Sequence, residues 1–167
     1  MRWLRMTHFL AQAGFDITVM TPSNGSFAYQ DNSLSQRVHP NIKVIKTYSL
    51  EPLQWYQRLM HKKGQPMPLA EFSDKKNGSI FSRFSLWLRA NIFIPDARIG
   101  WVPFAYRRAC KEFKKSNFDI LITTGPPQSA HLIGLLLKKK YNVRWIADFR
   151  DPWTEIFYYD QLPHLSF

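Results

Sequence analysis

Residues 119–154 read DILITTGPPQSAHLIGLLLKKKYNVRWIADFRDPWT, and the order of patterns in that stretch decides the fold. Asp119–Thr124 is a short run rich in Ile and Thr, the composition of a strand. Gly125, Pro126 and Pro127 break it, and Gln128–Lys140 then reads as a helix. Arg144–Asp148 (RWIAD) is a second strand. Strand, helix and strand joined by short connections make a βαβ unit, so the two strands run parallel and the crossover is right-handed. The expected fold class is therefore α/β, a Rossmann-like parallel sheet flanked by helices.

Upstream, Val102–Lys115 reads as a helix with Val102, Tyr106, Ala109 and Phe113 on one side. Within 80–94, Phe81, Phe84, Leu88 and Ile92 recur at helical spacing, with Arg83, Trp87 and Arg89 nearby. Two readings stay open there: a helix packed against protein, or a basic amphipathic helix lying on a membrane. Residues 50–79 carry Pro52, Gly64, Pro66, Pro68 and Gly78 without a sustained period, so about 50–95 is a variable excursion. Ile42–Tyr48 is a strand exposed on one face, with Ile42 and Val44 alternating with lysines. Asp16–Thr21 is a strand closed by Pro22, Ser23, Asn24 and Gly25. Residues 2–13 are a helix with a stripe of Trp3, Met6, Leu10 and Ala13, and Gly14 is its natural stop. The chain trails off from Phe149 through Pro152 and Pro163, and no internal repeat occurs.

Composition narrows the class. At 167 residues with 45% hydrophobic content the chain is long enough for one domain with a real core. No apolar run reaches the roughly 18–20 residues that span a bilayer. Arg2 and Arg5 are followed by Thr7, His8 and Gln12 rather than an apolar signal-peptide core. The single cysteine, Cys110, cannot form an intrachain disulfide; it fits a reducing cytoplasm and a small buried hydrophobe rather than a nucleophile. The net charge of +11 favours an anionic partner, which nucleic acid, a membrane surface or a phosphorylated substrate would each supply, or else a solvated basic surface. Lys114, Lys115 and Lys138–Lys140 sit at helix ends, where positive charge also complements the helix dipole.

Ligands of an open parallel sheet bind beyond the carboxyl ends of its strands. Three loops leave such ends here: Thr21–Gly25, Thr123–Ser129 and Asp148–Thr154. In the second, Gly125 permits a tight turn and Pro126 or Pro127 suits the first turn of a helix. Thr124 and Ser129 bring hydroxyls to that helix start, a natural anion site. His131, one turn in, leans back towards it, either as a base or donor in the cleft or as a structural residue. In the third, Asp148, Arg150 and Asp151 set two acids and a guanidinium within four residues. Either they satisfy one another, or Arg150 holds a phosphate or hydroxyl while an Asp binds sugar hydroxyls or assists proton transfer. There is no G-x-G-x-x-G, Walker loop, G-x-S-x-G or CxxC, and the histidines at 8, 39, 61, 131 and 164 lack metal-ligand spacing.

TTGPPQSAHLIG followed by WIADFRDPWT resembles the N-terminal domain of bacterial family-4-like glycosyltransferases, enzymes of two-domain GT-B architecture. RWLRMTHFLAQAGFDITVMTP is similar to that family's first helix and second strand, so about two thirds of the chain is covered. The resemblance implies retaining transfer of a sugar from a nucleotide-sugar donor to a cell-surface polysaccharide or lipid-linked acceptor. The domain would be the acceptor side, with no metal or other cofactor and no nucleic acid partner. It implies His131, Asp148 and Asp151 as catalytic candidates, with Thr124, Gly125, Ser129 and Arg150 contacting substrate. The cytoplasm is the implied location, with peripheral contact to the anionic inner face of the plasma membrane. Two departures matter: the family's opening strand with its glycine-rich loop, and its donor-binding domain, have no counterpart here. Residues 1–167 are thus expected to be a single partial domain, truncated at both ends and inactive alone. In the strand order 3-2-1-4-5 the missing strand is central, leaving Asp16–Thr21 and Asp119–Thr124 to expose backbone or pair directly. Two other classes remain open: a non-catalytic basic module binding an anionic membrane or nucleic acid, and a GT-B-like epimerase.

Overall fold

The computed structural model describes residues 2–24, 31–50, 94–96 and 98–150. These divide into two compact units, one within Met1–Ser49 and one within Leu50–Phe167. The stripe from Phe81 to Ile92, the excursion before it, Gly25, and Asp151 with the segment after it lie outside the described residues.

In the first unit, α1 covers Arg2–Gln12 and ends at Gly14, whose φ of 89° only glycine adopts without cost. The helix is amphipathic yet buries none of its residues fully, and Met6 and Phe9 of its apolar side stay exposed. β1 (Thr18–Pro22) pairs parallel with β2 (Lys43–Thr47) in a register from Thr18↔Lys43 to Pro22↔Thr47. Beyond Pro22 a side chain prolongs the ladder. The Asn24 amide donates to the Ser49 carbonyl and accepts from the Ser49 amide, both at 2.7 Å. The phase of β2 differs from the sequence expectation. Ile45 and Thr47 are buried in the strand, while Val44 shares the exposed face with Lys46. Ile42, just before the strand, is buried as well, so it does not continue the Val44 face. Strand side chains alternate every residue, and the burial of Ile45 fixes which set turns inward.

The second unit is built on α2 (Val102–Phe113), β3 (Ile120–Gly125), α3 (Ser129–Tyr141) and β4 (Arg144–Phe149). A single 3-10 turn, Ile99–Trp101, leads into α2. Gly100 lies so close to the Leu50 backbone that a Cβ would collide with the Leu50 carbonyl. Of the residues expected to form the α2 stripe only Ala109 is fully buried, and Ala105, Cys110 and Glu112 join it. Cys110 is a buried thiol, as its helical surroundings implied. α3 ends on Asn142 in the left-handed region, with Lys138, Lys139 and Lys140 in its last turn.

β3 and β4 pair parallel from Ile120↔Arg144 to Gly125↔Phe149. The fold is thus α/β with small parallel sheets: two of two strands each, β1 with β2 and β3 with β4. α3 packs on β3 and β4 through Leu137 and Ile133, and Gly134 admits the Trp145 indole where a Cβ would collide with it. The opposite face of the pair carries Ile120, Ile122 and Ile146, which are 48%, 40% and 52% exposed. Parallel strands are ordinarily covered on both faces, so a face with three isoleucines this exposed is an association hazard. We expect the 167-residue chain to self-associate in size-exclusion chromatography with light scattering, and the double substitution Ile122→Thr/Ile146→Thr to reduce that without lowering helicity. A soluble parent monomer with a cooperative unfolding transition contradicts this.

Candidate functional site

The two turns singled out in the sequence leave the same end of one parallel pair. Thr124 stands opposite Asp148 and Gly125 opposite Phe149, so the Gly-Pro-Pro turn and the Phe-Arg segment emerge side by side. Alternation along the strands then sorts the side chains onto two faces. Thr123, Trp145 and Phe149 lie on the face that α3 covers, as their contacts with that helix show. Thr124 and Asp148 lie on the other face, where the Thr124 hydroxyl donates to Asp148 Oδ2 at 2.8 Å. His131 and Asp148 therefore share a rim but stand on opposite sides of the sheet.

On the α3 face the polar groups form a chain. The Trp145 indole N–H, which can only donate, gives its proton to Thr123 Oγ1 at 2.9 Å. Thr123 Oγ1 lies 2.8 Å from His131 Nδ1. When the threonine proton goes to Nδ1, the imidazole hydrogen sits on Nε2. His131 is 6% exposed, its ring lies 4.1 Å from that of Phe149 at 31°, and its Nε2 is buried without a hydrogen-bond partner. Gln128 Oε1 is likewise buried, and neither atom has a hydrogen-bond partner among the described residues. Both atoms crowd the point where a Cβ on residue 125 would stand, so a side chain there would have to displace them, although the φ of Gly125 is not in the left-handed region that favours glycine. Burial lowers the His131 pKa from its ordinary value of 6.5, while the Asp148 and Asp96 carboxylates pull the other way. The ring is held neutral.

The start of α3 is not an open anion site. Asp96 Oδ2 accepts from the Ser129 amide at 2.7 Å and Asp96 Oδ1 from the Ser129 hydroxyl at 3.1 Å. The Ala130 and His131 amides donate to the Pro127 and Gln128 carbonyls. Pro126 and Pro127 precede the helix rather than forming its first turn, because Gln128 is the N-cap. Ser129 is fully buried, and Asp96 is itself fixed by accepting from the Arg98 amide at 2.8 Å. Sequence reasoning missed Asp96. Its one local signal is the Asp-x-Arg spacing of a turn, which does not say that a helix start 33 residues on will meet it.

The sequence-predicted residues thus fall into three pairings: His131 with Thr123 and Gly125, Thr124 with Asp148, and Ser129 with Asp96. Arg150 is exposed just past β4, and Asp151 lies outside the described residues. Among the described residues no three His, Cys, Asp or Glu side chains gather as a metal site, and no helix is long and apolar enough to cross a membrane. Comparison of the chain with family models, with curated proteins and with solved structures finds no match.

Two outcomes follow from this geometry. Replacing Asp96 with Ala removes both contacts to the start of α3 and should cost about 1–2 kcal/mol in denaturant unfolding. His131 adds a pH term. Its folded pKa lies below its unfolded one, so its stabilisation is present above about pH 6.5 and is lost as pH falls towards the depressed folded value. Unfolding midpoints should therefore decline more steeply below pH 6.5 in the parent than in His131→Gln.

Proposed function

We propose that this chain is the acceptor-side domain of a retaining GT-B glycosyltransferase, which moves a sugar from a nucleotide-sugar donor to a cell-surface polysaccharide or lipid-linked acceptor. The observation that carries the reading is the parallel pairing of β3 with β4, which sets the GPPQSAH turn and the ADFR segment on one rim. That rim is where a doubly wound sheet receives its ligand. The Rossmann-like assignment of the unit belongs to the same proposal.

In this reading the rim recognises a sugar acceptor through short-range donors and acceptors. The His131 Nε2 is buried, so in this reading the Gly-Pro-Pro turn opens to admit the ligand, and the neutral imidazole then gives a hydrogen bond from Nε2 or takes a proton there, depending on which nitrogen holds its hydrogen. Gln128 Oε1 offers an acceptor beside it. Across the sheet edge Asp148, oriented by Thr124, accepts from hydroxyls, and the exposed Arg150 reaches charged groups of the donor or acceptor. Asp151 completes the proposed set. The nucleotide-sugar pocket belongs to the partner lobe of the two-domain architecture. The net charge of +11 suits an acceptor held at an anionic membrane surface.

The test is a transfer assay with a panel of nucleotide sugars and membrane acceptors, on the chain alone and on the chain joined to a donor-binding lobe of the two-domain architecture. We expect transfer in the presence of that lobe. His131→Ala and Asp151→Asn should each lower kcat/KM by about 10²-fold or more, the range of general acid–base contributions. Transfer unchanged in both variants would remove the assignment. Salt-sensitive binding to liposomes or an oligonucleotide, with no transfer from any donor, would instead favour the non-catalytic basic module.

A further inference from the structure

α1 and the segment before β2 enclose a cleft of about 370 Å³ that the rim chemistry does not use. It is lined by Leu4, Arg5, His8 and Phe9 from α1 and by Arg37 from the last turn of the 3-10 helix Asn32–Arg37. Arg5 and His8 are three residues apart, and Arg5 and Phe9 four, so one face of α1 supplies them. Arg37 comes to the same cleft from a separate element. The ring of His39 stands edge-on to that of His8 with centroids 5.4 Å apart.

Among the described residues the lining contains no carboxylate. Asp31, at the start of the 3-10 helix, is engaged with Ser33. Its carboxyl is held below the usual range first by the Ser33 hydroxyl and then by the Ser33 amide, with only a minor contribution from Arg37. Two permanent cations, Arg5 and Arg37, therefore line one small space together with the His8 ring. The Debye length at physiological salt is about 8 Å, comparable to such a cleft, so their mutual repulsion is only partly screened. A bound anion removes it. Guanidinium groups match the oxygens of a phosphate, which they grip through paired N–H donors. The remaining described wall, Leu4 and Phe9, is apolar, and Phe9 is 67% exposed.

We propose that this cleft binds a phosphate monoester carrying an apolar substituent, with Arg5 and Arg37 on the phosphate and Leu4 and Phe9 against the substituent. The occupant bridges α1, which buries none of its own residues fully, to the segment that leads into β2. The site rests on the first unit alone and stands or falls independently of sugar transfer.

Calorimetric titration of the 167-residue chain with phenyl phosphate, inorganic phosphate and benzyl alcohol tests it. Phenyl phosphate should bind more tightly than inorganic phosphate, and benzyl alcohol should not bind. Arg5→Gln and Arg37→Gln should each weaken phenyl phosphate binding about tenfold or more, the loss of a hydrogen bond to a charged group. Both arginines are exposed, so circular dichroism should be unchanged. Phe9→Ala should weaken phenyl phosphate while leaving inorganic phosphate unaffected. Flotation with vesicles of phosphatidylcholine containing either phosphatidic acid or phosphatidylglycerol assigns the source. Capture by phosphatidic acid alone, lost in the arginine variants, places the phosphate on a lipid. Phenyl phosphate binding without vesicle capture places it on a soluble ligand. Phenyl phosphate affinity unchanged in both arginine variants overturns the proposal. Equal capture by both anionic lipids regardless of Arg5 and Arg37 overturns it too, since that is adsorption by net charge.

Discussion

Everything at the rim depends on the parallel register of β3 with β4. Parallel strands cannot be joined by a tight turn, so the chain must cross over, and α3 is that crossover. Once Thr124 faces Asp148 and Gly125 faces Phe149, the residues that follow both strands must leave the sheet at the same end. A slip of one residue would exchange the faces of every side chain on a strand. Thr123 would lose both Trp145 and His131, and Thr124 would turn away from Asp148. The hydrogen bonds that run across the sheet, Trp145 to Thr123 and Thr124 to Asp148, therefore report the register as well as stabilise it.

The elements nearest that rim were the most legible in the sequence. Short Ile- and Thr-rich runs, a Gly-Pro-Pro break and a helical stretch closed by lysines leave little freedom, and β3, α3 and β4 form within a residue or two of their expected bounds. The less legible features all depend on distant partners. The phase of β2 turned on whether Ile45 or Val44 found cover, and both are good strand residues. The α2 stripe read from large side chains, whereas the closest packing falls on Ala105 and Ala109, because small residues let helices approach. The Asp-x-Arg spacing around Asp96 signals a turn and says nothing of the start of α3 that it meets. For the site itself, the shared rim was readable from topology, but the division of His131 and Asp148 between two faces required the register.

The pairing of strands bears on the expected missing central strand. β1 pairs with β2 and β3 with β4, in two sheets of two strands rather than one continuous sheet. Each pair keeps its own ladder, and in the second Ile120, Ile122 and Ile146 are about half exposed on one face. At about 25 cal/mol per Å² of apolar surface, even partial cover of such a face is worth more than a typical surface contact.

The carboxylate at the start of α3 has a selective effect. A helix start ordinarily attracts anions, because its amides are unsatisfied and its dipole is positive there. Here Asp96 has already taken the Ser129 amide and hydroxyl, so that end of α3 arrives with its own counter-ion. A second negative group would meet repulsion before it met a donor. That end of the helix therefore disfavours a group as charged as a phosphate and does not penalise an uncharged one.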